Sequence, residues 1–361
     1  EIRPRDWSSD VCSSDLVRER FPDRTMVCVA DDLERRIDGI AAFVGASPDD
    51  LVFFPNPTTA MNMVARSLGL AAGDEVLVTD HEYGAMDRTW RKLCGEVGAS
   101  VVRAALPLPV STADDVVERV WRCVTPRTKV LFISHLTSAT ALVFPVAELC
   151  RRAREAGILA IVDGAHVPGH IDLHLESLGC DIYTGALHKW LCAPKGCSFL
   201  WVRREVQARM QPLVISWGWE SVAPSSSQFV DHHEWQGTRD LSPFLALRAA
   251  IEFRRSVDWE ADARRCHELV LSARRRIDER TGLAAISPDE GGWIAQMAAI
   301  RLPDRTDVVD LQRRLRERHR VEVPMHRWAD QPLVRVSCAA HTTTSDIDAL
   351  IVALEAEGVV A

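Results

Sequence analysis

Short apolar runs alternate with longer amphipathic stretches through the first two-thirds of the chain. The apolar runs predict buried strands at residues 51–54, 76–79, 100–104, 130–134, 159–163, 182–184 and 197–202. The stretches between them predict helices at residues 58–68, 84–95, 114–123 and 145–156. Alternation of this kind needs crossover connections, so it favours an α/β fold with a mostly parallel seven-stranded sheet. The last two runs leave no room for a full helix between them, so we expect one edge strand to be antiparallel.

The pattern changes after residue 212. Residues 221–229 predict a polar loop rich in proline and serine, and a long arginine-rich helix follows over residues 243–280. Strand, helix, strand and helix are then predicted at residues 293–301, 307–319, 334–337 and 345–357. We therefore expect residues 17–242 to form a large domain, and residues 243–361 a linking helix with a smaller α+β C-terminal domain.

The first sixteen residues have neither a helical nor a strand period. They repeat the unit Ser-Ser-Asp at residues 8–10 and 13–15. We interpret residues 1–16 as a non-native artefact of sequencing, with a disordered tail as the alternative. On this interpretation, the native N-terminal part of the large domain is missing.

Composition and charge narrow the class of protein. The 361 residues carry a formal net charge of −8, which argues against a nucleic-acid-binding surface. No run of 18 uncharged apolar residues indicates a membrane span. The ten cysteines lie in apolar segments without zinc-ligand spacing, which is typical of buried thiols in a cytoplasmic protein. We expect no metal site.

Candidate chemistry clusters where the predicted strands end, which is where open parallel sheets bind ligands. Thr58 and Thr59 open a helix, whose free N–H groups can hold a phosphate. Tyr83 follows the next strand and can lie flat on a cofactor, and Ser138 offers a hydroxyl after a later strand. Each residue alone also fits an ordinary role as a helix cap or a packing residue.

Two further strand ends carry charged groups in apolar surroundings. Asp163 follows four apolar residues, so its carboxylate needs a cationic partner. Lys189 is flanked by apolar residues, so it is either a snorkelling side chain or a neutral nucleophile. Four groups are thus present: a phosphate-binding helix N-terminus, an aromatic ring that can stack on a cofactor, a buried carboxylate, and a lysine in apolar surroundings. Together they are the groups that hold pyridoxal 5'-phosphate.

These residues lie within longer motifs: NPTTAMNMVARSLGL, TDHEYGAMDRTW, ISHLTSATALVFPVAEL, VDGAHVPGHIDL, LHKWLCAPKGCSFLWV, PLVISWGW and WQGTRD. With them, residues 50–357 resemble the class V aminotransferase family of pyridoxal-phosphate enzymes, which has fold type I. Within that family the chain is most similar to the isopenicillin-N-epimerase-like branch. The DGAH and HKW elements, from Asp163 to Lys189, are its most specific motifs.

The resemblance implies a role for each candidate residue. Lys189 would hold the cofactor as a Schiff base and move the substrate Cα proton, while Asp163 would pair with the pyridine nitrogen. The remaining implied contacts are to the ring's phenolic oxygen for His166 and Ser138, to the ring face for Tyr83, to the phosphate for Thr58, Thr59 and His188, to the partner subunit's phosphate for Thr238, and to the substrate carboxylate for Arg335. A homodimer with shared active sites and an amino-acid-like substrate follow from these roles.

The chain departs from the family pattern at a few positions. Ala186 replaces an Asn or Ser that contributes a phosphate ligand, and Ala141 stands where the family has glycine. His341 and Thr342 replace the Tyr-Asn that commonly follows the carboxylate-binding strand.

Several functions stay open from the sequence. Epimerisation, β-elimination of a C–S bond and transamination all begin with loss of the same Cα proton. Cysteine desulfuration is disfavoured, because residues 317–332, just before Arg335, contain no cysteine. A non-catalytic cofactor-binding protein and a metal hydrolase are remote alternatives; the latter would use His81, Glu82, Asp163, His166 and His188, but no HExxH motif supports it.

Overall fold

The computed structural model describes residues 29–221, 224–237 and 239–360. The proposed artefact at residues 1–16 and the candidate ligand Thr238 therefore lie outside the described residues. The helices of at least four residues are α1 (Val29–Val44), α2 (Pro57–Ser67), α3 (Gly84–Val97), α4 (Ala113–Trp121), α5 (Val146–Glu155), α6 (Leu175–Leu178), α7 (Arg204–Gln207), α8 (Gln228–Glu234), α9 (Ser242–Leu245), α10 (Leu247–Ser256), α11 (Trp259–Thr281), α12 (Val308–His319) and α13 (Thr344–Ala356).

A seven-stranded sheet forms the centre of the larger part of the molecule, in the order β1-β7-β6-β5-β4-β2-β3. Its strands are β1 (Leu51–Phe54), β2 (Glu75–Thr79), β3 (Ser100–Ala104), β4 (Thr128–Ser134), β5 (Leu159–Asp163), β6 (Ile182–Ala186) and β7 (Ser198–Val202). Neighbouring strands from β3 to β6 pair in parallel. The predicted α/β fold and the predicted strand count are confirmed.

The position of the antiparallel strand differs from the prediction. Strand β7 pairs antiparallel with β6 and also with β1, so it lies inside the sheet, and β1 forms the edge. The sequence shows that β6 and β7 are joined by a short connection. It does not show that β1, which lies far away along the chain, pairs with the other side of β7.

Alternate residues of each strand point into two separate apolar cores. Leu51 and Phe53 of β1 belong to one core, whereas Val52 and Phe54 belong to the other. Period-two side-chain alternation places both sets in apolar surroundings only when helices cover both sheet faces. The uninterrupted apolar runs in the sequence follow from this double coverage.

The C-terminal part contains a second sheet of three antiparallel strands in the order β8-β10-β9. They are β8 (Met297–Arg301), β9 (Met325–Trp328) and β10 (Gln331–Ser337). Strand β9 was not predicted, because its four residues alternate only weakly and are all partly exposed. The predicted single linking helix is divided into α9, α10 and α11. The proposed domain boundary at residue 242 stays a prediction.

Within the described part of the chain, no helix combines the length and the apolar character needed to cross a membrane. The described cysteines are all free thiols, and six of them are buried: Cys94, Cys150, Cys180, Cys197, Cys266 and Cys338.

Candidate active site

A cavity of about 400 Å³ lies beyond the carboxyl ends of β4, β5 and β6. Since these strands are adjacent and parallel, the loops that follow them meet at one edge of the sheet. Strand β10 of the small sheet closes the cavity from another side by contributing Arg335. The lining residues are Asn56, Pro57, Thr58, Tyr83, Ser134, Leu136, Ser138, Asp163, Ala165, His166, His188, Lys189 and Arg335. Of the sequence-predicted site residues that fall within the described ranges, only Thr59 is absent from this lining.

Asp163 ends strand β5 and is 5% exposed. One carboxylate oxygen, Oδ1, accepts a hydrogen bond of 3.0 Å from the Ala165 N–H. Among the described residues, the other oxygen has no hydrogen-bond donor. Burial raises the pKa of this carboxyl, whereas the positive charge of Lys189 lowers it. A buried carboxylate with an unpaired oxygen at the cavity fits a cationic ring nitrogen, because that partner would compensate its lost hydration.

Lys189 lies in the turn after strand β6 and is accessible to solvent through the cavity. The protein atoms around it desolvate the ammonium and lower the pKa of Lys189 to about 8. Asp163 raises this pKa and Arg335 lowers it. A lysine with a depressed pKa is partly neutral near pH 7 to 8, and the neutral amine is the nucleophilic form.

His166 connects the end of β5 to Lys189. Its Nε2 lies 3.0 Å from the Lys189 Nζ, and its Nδ1 lies 3.4 Å from the indole Nε1 of Trp190. Burial lowers the pKa of His166 well below its usual value, with smaller contributions from the charges of Lys189 and Arg335. The imidazole is therefore neutral at physiological pH.

Arg335 lies on β10 and extends towards the loop that follows β4. Its Nη1 donates to the Ser138 carbonyl oxygen at 2.5 Å and to the Ser138 hydroxyl at 3.2 Å. Its Nε is buried and has no hydrogen-bond partner. Burial lowers the pKa of the guanidinium. Nε and Nη2 form one edge of the guanidinium plane, and the geometry of such an edge matches the two oxygens of a carboxylate.

The N-terminus of helix α2 forms the wall next to strand β1. Asn56 caps it, because its Oδ1 accepts from the Thr59 N–H at 2.8 Å and from the Thr59 hydroxyl at 3.0 Å. Thr58 lines the cavity, whereas the Thr59 hydroxyl is engaged by the cap. His188 donates its Nδ1–H to the Cys197 carbonyl at 2.8 Å, which leaves its Nε2 free. Helix N–H groups with a threonine and a histidine suit a phosphate.

The turn after β2 contributes one aromatic side chain and one acidic side chain. Tyr83 is 48% exposed and lines the cavity. Glu82 next to it is partly buried, and its carboxylate accepts from the Thr79 hydroxyl at 2.6 Å, the Ser134 hydroxyl at 2.6 Å and the Ser134 N–H at 2.9 Å. Burial raises the pKa of Glu82 to about 7, and the charge of Asp163 contributes to the increase. The sequence suggested Glu82 only as a metal ligand, because an acidic residue in a polar turn gives no signal of burial.

The departures from the family pattern have visible structural consequences. Ala186 is completely buried at the end of β6 and does not line the cavity. Ala141 adopts a φ of 55°, the left-handed conformation that favours glycine. His81, required by the metal-hydrolase alternative, has both ring nitrogens engaged, by Thr140 and by the Leu106 carbonyl. In the described ranges, no three metal-ligating side chains are grouped to hold an ion.

The fold and the site are those of an enzyme of fold type I, with a lysine and an aspartate in one cavity beyond a parallel sheet. The class V aminotransferase family matches residues 28–350, and the chain belongs to that family. The expected cofactor, pyridoxal 5'-phosphate, is confirmed by this membership.

Among curated proteins, the chain is 38% identical over 328 residues to the isopenicillin N epimerase of Amycolatopsis lactamdurans, covering 88% of this chain and 82% of that protein. It is 36% identical over 329 residues to the isopenicillin N epimerase of Streptomyces clavuligerus, covering 88% and 83%. Among solved structures, the cysteine desulfurase CsdA of Escherichia coli superposes with a TM-score of 0.77 at 22% identity, covering 93% of this chain and 88% of that one. A cystine C–S lyase in complex with its product cysteine persulfide has the same TM-score at 18% identity, covering 94% and 92%.

Proposed function

We propose that this protein is an epimerase that inverts the α-carbon of an amino acid or of a peptide-like substrate with one free amino-acid end. The observation that carries the proposal is that Arg335, whose Nε–Nη2 edge has an unpaired Nε, lines the same cavity as Lys189. This edge fits an α-carboxylate. The similarity to two isopenicillin N epimerases over most of the chain supports inversion as the reaction.

The bound cofactor withdraws electrons from the substrate α-carbon and so weakens its C–H bond. Asp163 would hold the ring nitrogen in its protonated form, because its unpaired oxygen needs a donor. Thr58, the N–H groups of α2 and His188 would bind the phosphate, and Tyr83 would cover the ring. Lys189 would take the Cα proton through Nζ. A proton from solvent then adds to the opposite face and Lys189 releases its proton to solvent, so substrate and product have the same composition and no co-reactant is needed.

A deuterium experiment tests the reaction directly. Isopenicillin N is incubated in D₂O with the enzyme and pyridoxal 5'-phosphate, and NMR and chiral chromatography follow the α-position. We expect deuterium at Cα together with the inverted epimer, and neither in Lys189→Ala. The matched control is Lys195→Ala, whose side chain is exposed and does not line the cavity. Deuterium exchange without inversion would contradict the epimerase proposal.

C–S lysis is the second candidate, because it begins with removal of the same proton and differs only in the leaving group on Cβ. The fold shared with a C–S lyase is compatible with it. Release of sulfide and pyruvate from L-cysteine or L-cystine, in the absence of inversion, would favour this reaction. Transamination would instead convert an added 2-oxo acid to its amino acid.

Cysteine desulfuration requires a thiol that reaches the substrate sulfur, and several features argue against it. No cysteine of the described residues lines the cavity. Cys338, three residues after Arg335, is completely buried, and burial raises its pKa to about 12. A thiol with this pKa is protonated at neutral pH and is a poor nucleophile.

A homodimer with shared active sites is part of the proposal, and the protein would act in the cytoplasm. The segment that follows α7 in the large domain exposes apolar side chains, with Ile215 62% and Trp217 81% exposed. Such exposure is unusual for a monomer and favours burial against a second copy of the chain. Analytical ultracentrifugation tests this: a monomer that retains the cofactor at micromolar concentration would contradict it.

A further inference from the structure

The contact between Trp190 and His166 determines where the imidazole proton lies. The Trp190 Nε1 is 3.4 Å from the His166 Nδ1. An indole N–H can only donate a hydrogen bond, so Nδ1 must accept it and carries no proton. A neutral imidazole has one proton, which therefore resides on Nε2.

This assignment has a consequence for Lys189. The protonated Nε2 of His166 lies 3.0 Å from the Lys189 Nζ. A hydrogen bond between them requires the lysine nitrogen to accept, and an ammonium has no lone pair with which to do so. The hydrogen-bond pattern is thus satisfied only when Lys189 is a neutral amine.

Trp190 itself is held in place by a second histidine. Its ring stacks on His170 with a centroid distance of 3.7 Å and an interplanar angle of 20°. The His170 Nδ1 donates to the His166 carbonyl at 2.9 Å, and its Nε2 accepts from the Gln296 N–H at 2.8 Å. Both nitrogens of His170 are therefore used, and the indole plane cannot rotate away without breaking the stack.

We propose that Trp190 is a positioning residue that acts through His166: it selects the Nε2–H tautomer and thereby holds Lys189 as the neutral amine. This inference rests on the proposed function, because a neutral amine is the form that condenses with an aldehyde cofactor. The charged or titratable groups that face Lys189 are His166, Asp163 and Arg335. Those that face His166 are Lys189, Arg335 and His170.

The test replaces Trp190 by phenylalanine, which keeps an aromatic ring but removes the donor. In the cofactor-free full-length chain, labelling of Lys189 by dinitrofluorobenzene between pH 6 and 10 reports the fraction of neutral amine, read by mass spectrometry of its peptide. We expect a midpoint near pH 8 in the wild type. In Trp190→Phe the imidazole can present an unprotonated Nε2 to the ammonium, which should raise the midpoint by about one pH unit. At pH values below the midpoint, the neutral fraction of Lys189 should then be about tenfold lower than in the wild type.

Trp201→Phe is the matched control. Trp201 is a buried tryptophan of strand β7, and its Nε1 has no hydrogen-bond partner. Its replacement should leave the Lys189 midpoint unchanged. An unchanged midpoint in Trp190→Phe, or an equal shift in both variants, would overturn the inference.

A second measurement uses the wild-type protein and does not depend on whether a Trp190 variant folds. Nitrogen-15 NMR of the histidine side chains, with the His166 signal assigned by its absence in His166→Gln, should show Nδ1 unprotonated and Nε2 protonated in the wild type. The opposite tautomer would refute the proposal. Neither measurement uses a substrate, so failure of the epimerase assay would leave this result standing, and failure here would leave the epimerase proposal standing.

Discussion

Replacement of Arg335 by lysine tests how the substrate is recognised. Arginine has a planar fork with two parallel N–H groups on one edge, whereas lysine has a single ammonium. In the structure, Nη1 of Arg335 is already bound to Ser138, and the buried Nε is unpaired. The carboxylate would therefore bind the edge formed by Nε and Nη2, which lysine cannot reproduce.

The magnitude follows from the hydrogen bonds that the ammonium cannot form. A lysine at position 335 keeps the positive charge but makes one charge-assisted hydrogen bond where the guanidinium edge makes two. Such a bond contributes about 1.5–3 kcal/mol. Since 1.4 kcal/mol corresponds to a factor of ten, the dissociation constant of an amino-acid substrate should rise about 10-fold to 150-fold.

Spectroscopic titration of the bound cofactor measures this dissociation constant for an amino acid and for the matching amine without a carboxylate. The Arg335→Lys variant should weaken binding of the amino acid and affect the amine far less. Arg327→Lys is the control, because Arg327 lies on the neighbouring strand β9 but is exposed and does not line the cavity. Equal weakening of both compounds would show that Arg335 does not bind the carboxylate.

Further variants probe the rest of the site. Lys189→Ala should abolish covalent attachment of the cofactor, as measured by borohydride reduction and peptide mapping. Asp163→Asn should retain some cofactor but lower the turnover number about 100-fold or more, because loss of one preorganised electrostatic contact has an effect of this order. Gly169→Ala should lower the free energy of unfolding by about 2–3 kcal/mol, measured by chemical denaturation, since φ is 81° and the added Cβ would lie 2.7 Å from the Leu191 nitrogen. Glu82 has its pKa raised to about 7 by folding, so its contribution to stability is present below about pH 4.5 and is lost as pH rises through 7. Glu82→Gln should therefore gain roughly 2.5 kcal/mol relative to wild type between pH 5 and pH 8 in denaturation experiments.

Each of these variants has a control or an opposing outcome. Gly282→Ala shares the left-handed conformation, with φ of 67°, but no atom lies within 4 Å of the added Cβ, so it should cost only about 1 kcal/mol. Equal losses for the two glycine variants would remove the steric argument. Label on a lysine other than Lys189, near-wild-type turnover in Asp163→Asn, or a pH-independent difference for Glu82→Gln would each contradict the corresponding assignment.

The strands of the seven-stranded sheet and most of the helices between them follow from local patterns. Buried parallel strands give continuous apolar runs such as 159–163, and the helices between them give a period of 3.6 residues. The interior position of β7 and the existence of β9 could not be predicted from local patterns. The position of β7 depends on its pairing with β1, which lies far away along the chain. Strand β9 pairs with the neighbouring β10 across the short turn at residues 329–330, and its partly exposed residues give no clear strand pattern.

The candidate site, too, has features that the sequence predicts and features that depend on the tertiary structure. The residue types at successive strand ends, and above all Asp163 and Lys189, indicate the cofactor from the sequence alone. Their proximity follows from topology, because the carboxyl ends of β5 and β6 are neighbours in a parallel sheet. The solvent exposure and the pKa of each group could not be predicted from the sequence, since the burial of Glu82 and the pKa of Lys189 depend on atoms from distant segments.

The sequence by itself therefore determined the fold class, the cofactor and the identity of the principal candidate residues, since these depend on residue type and spacing. Only the tertiary structure decided how those residues are paired. Arg335 reaches Ser138 across 197 positions of the chain, and His166 contacts both Lys189 and Trp190 from the adjacent strand end. Hydrogen bonds and desolvation act over a few ångströms, so they are fixed by which segments fold against one another and not by the order of residues along the chain.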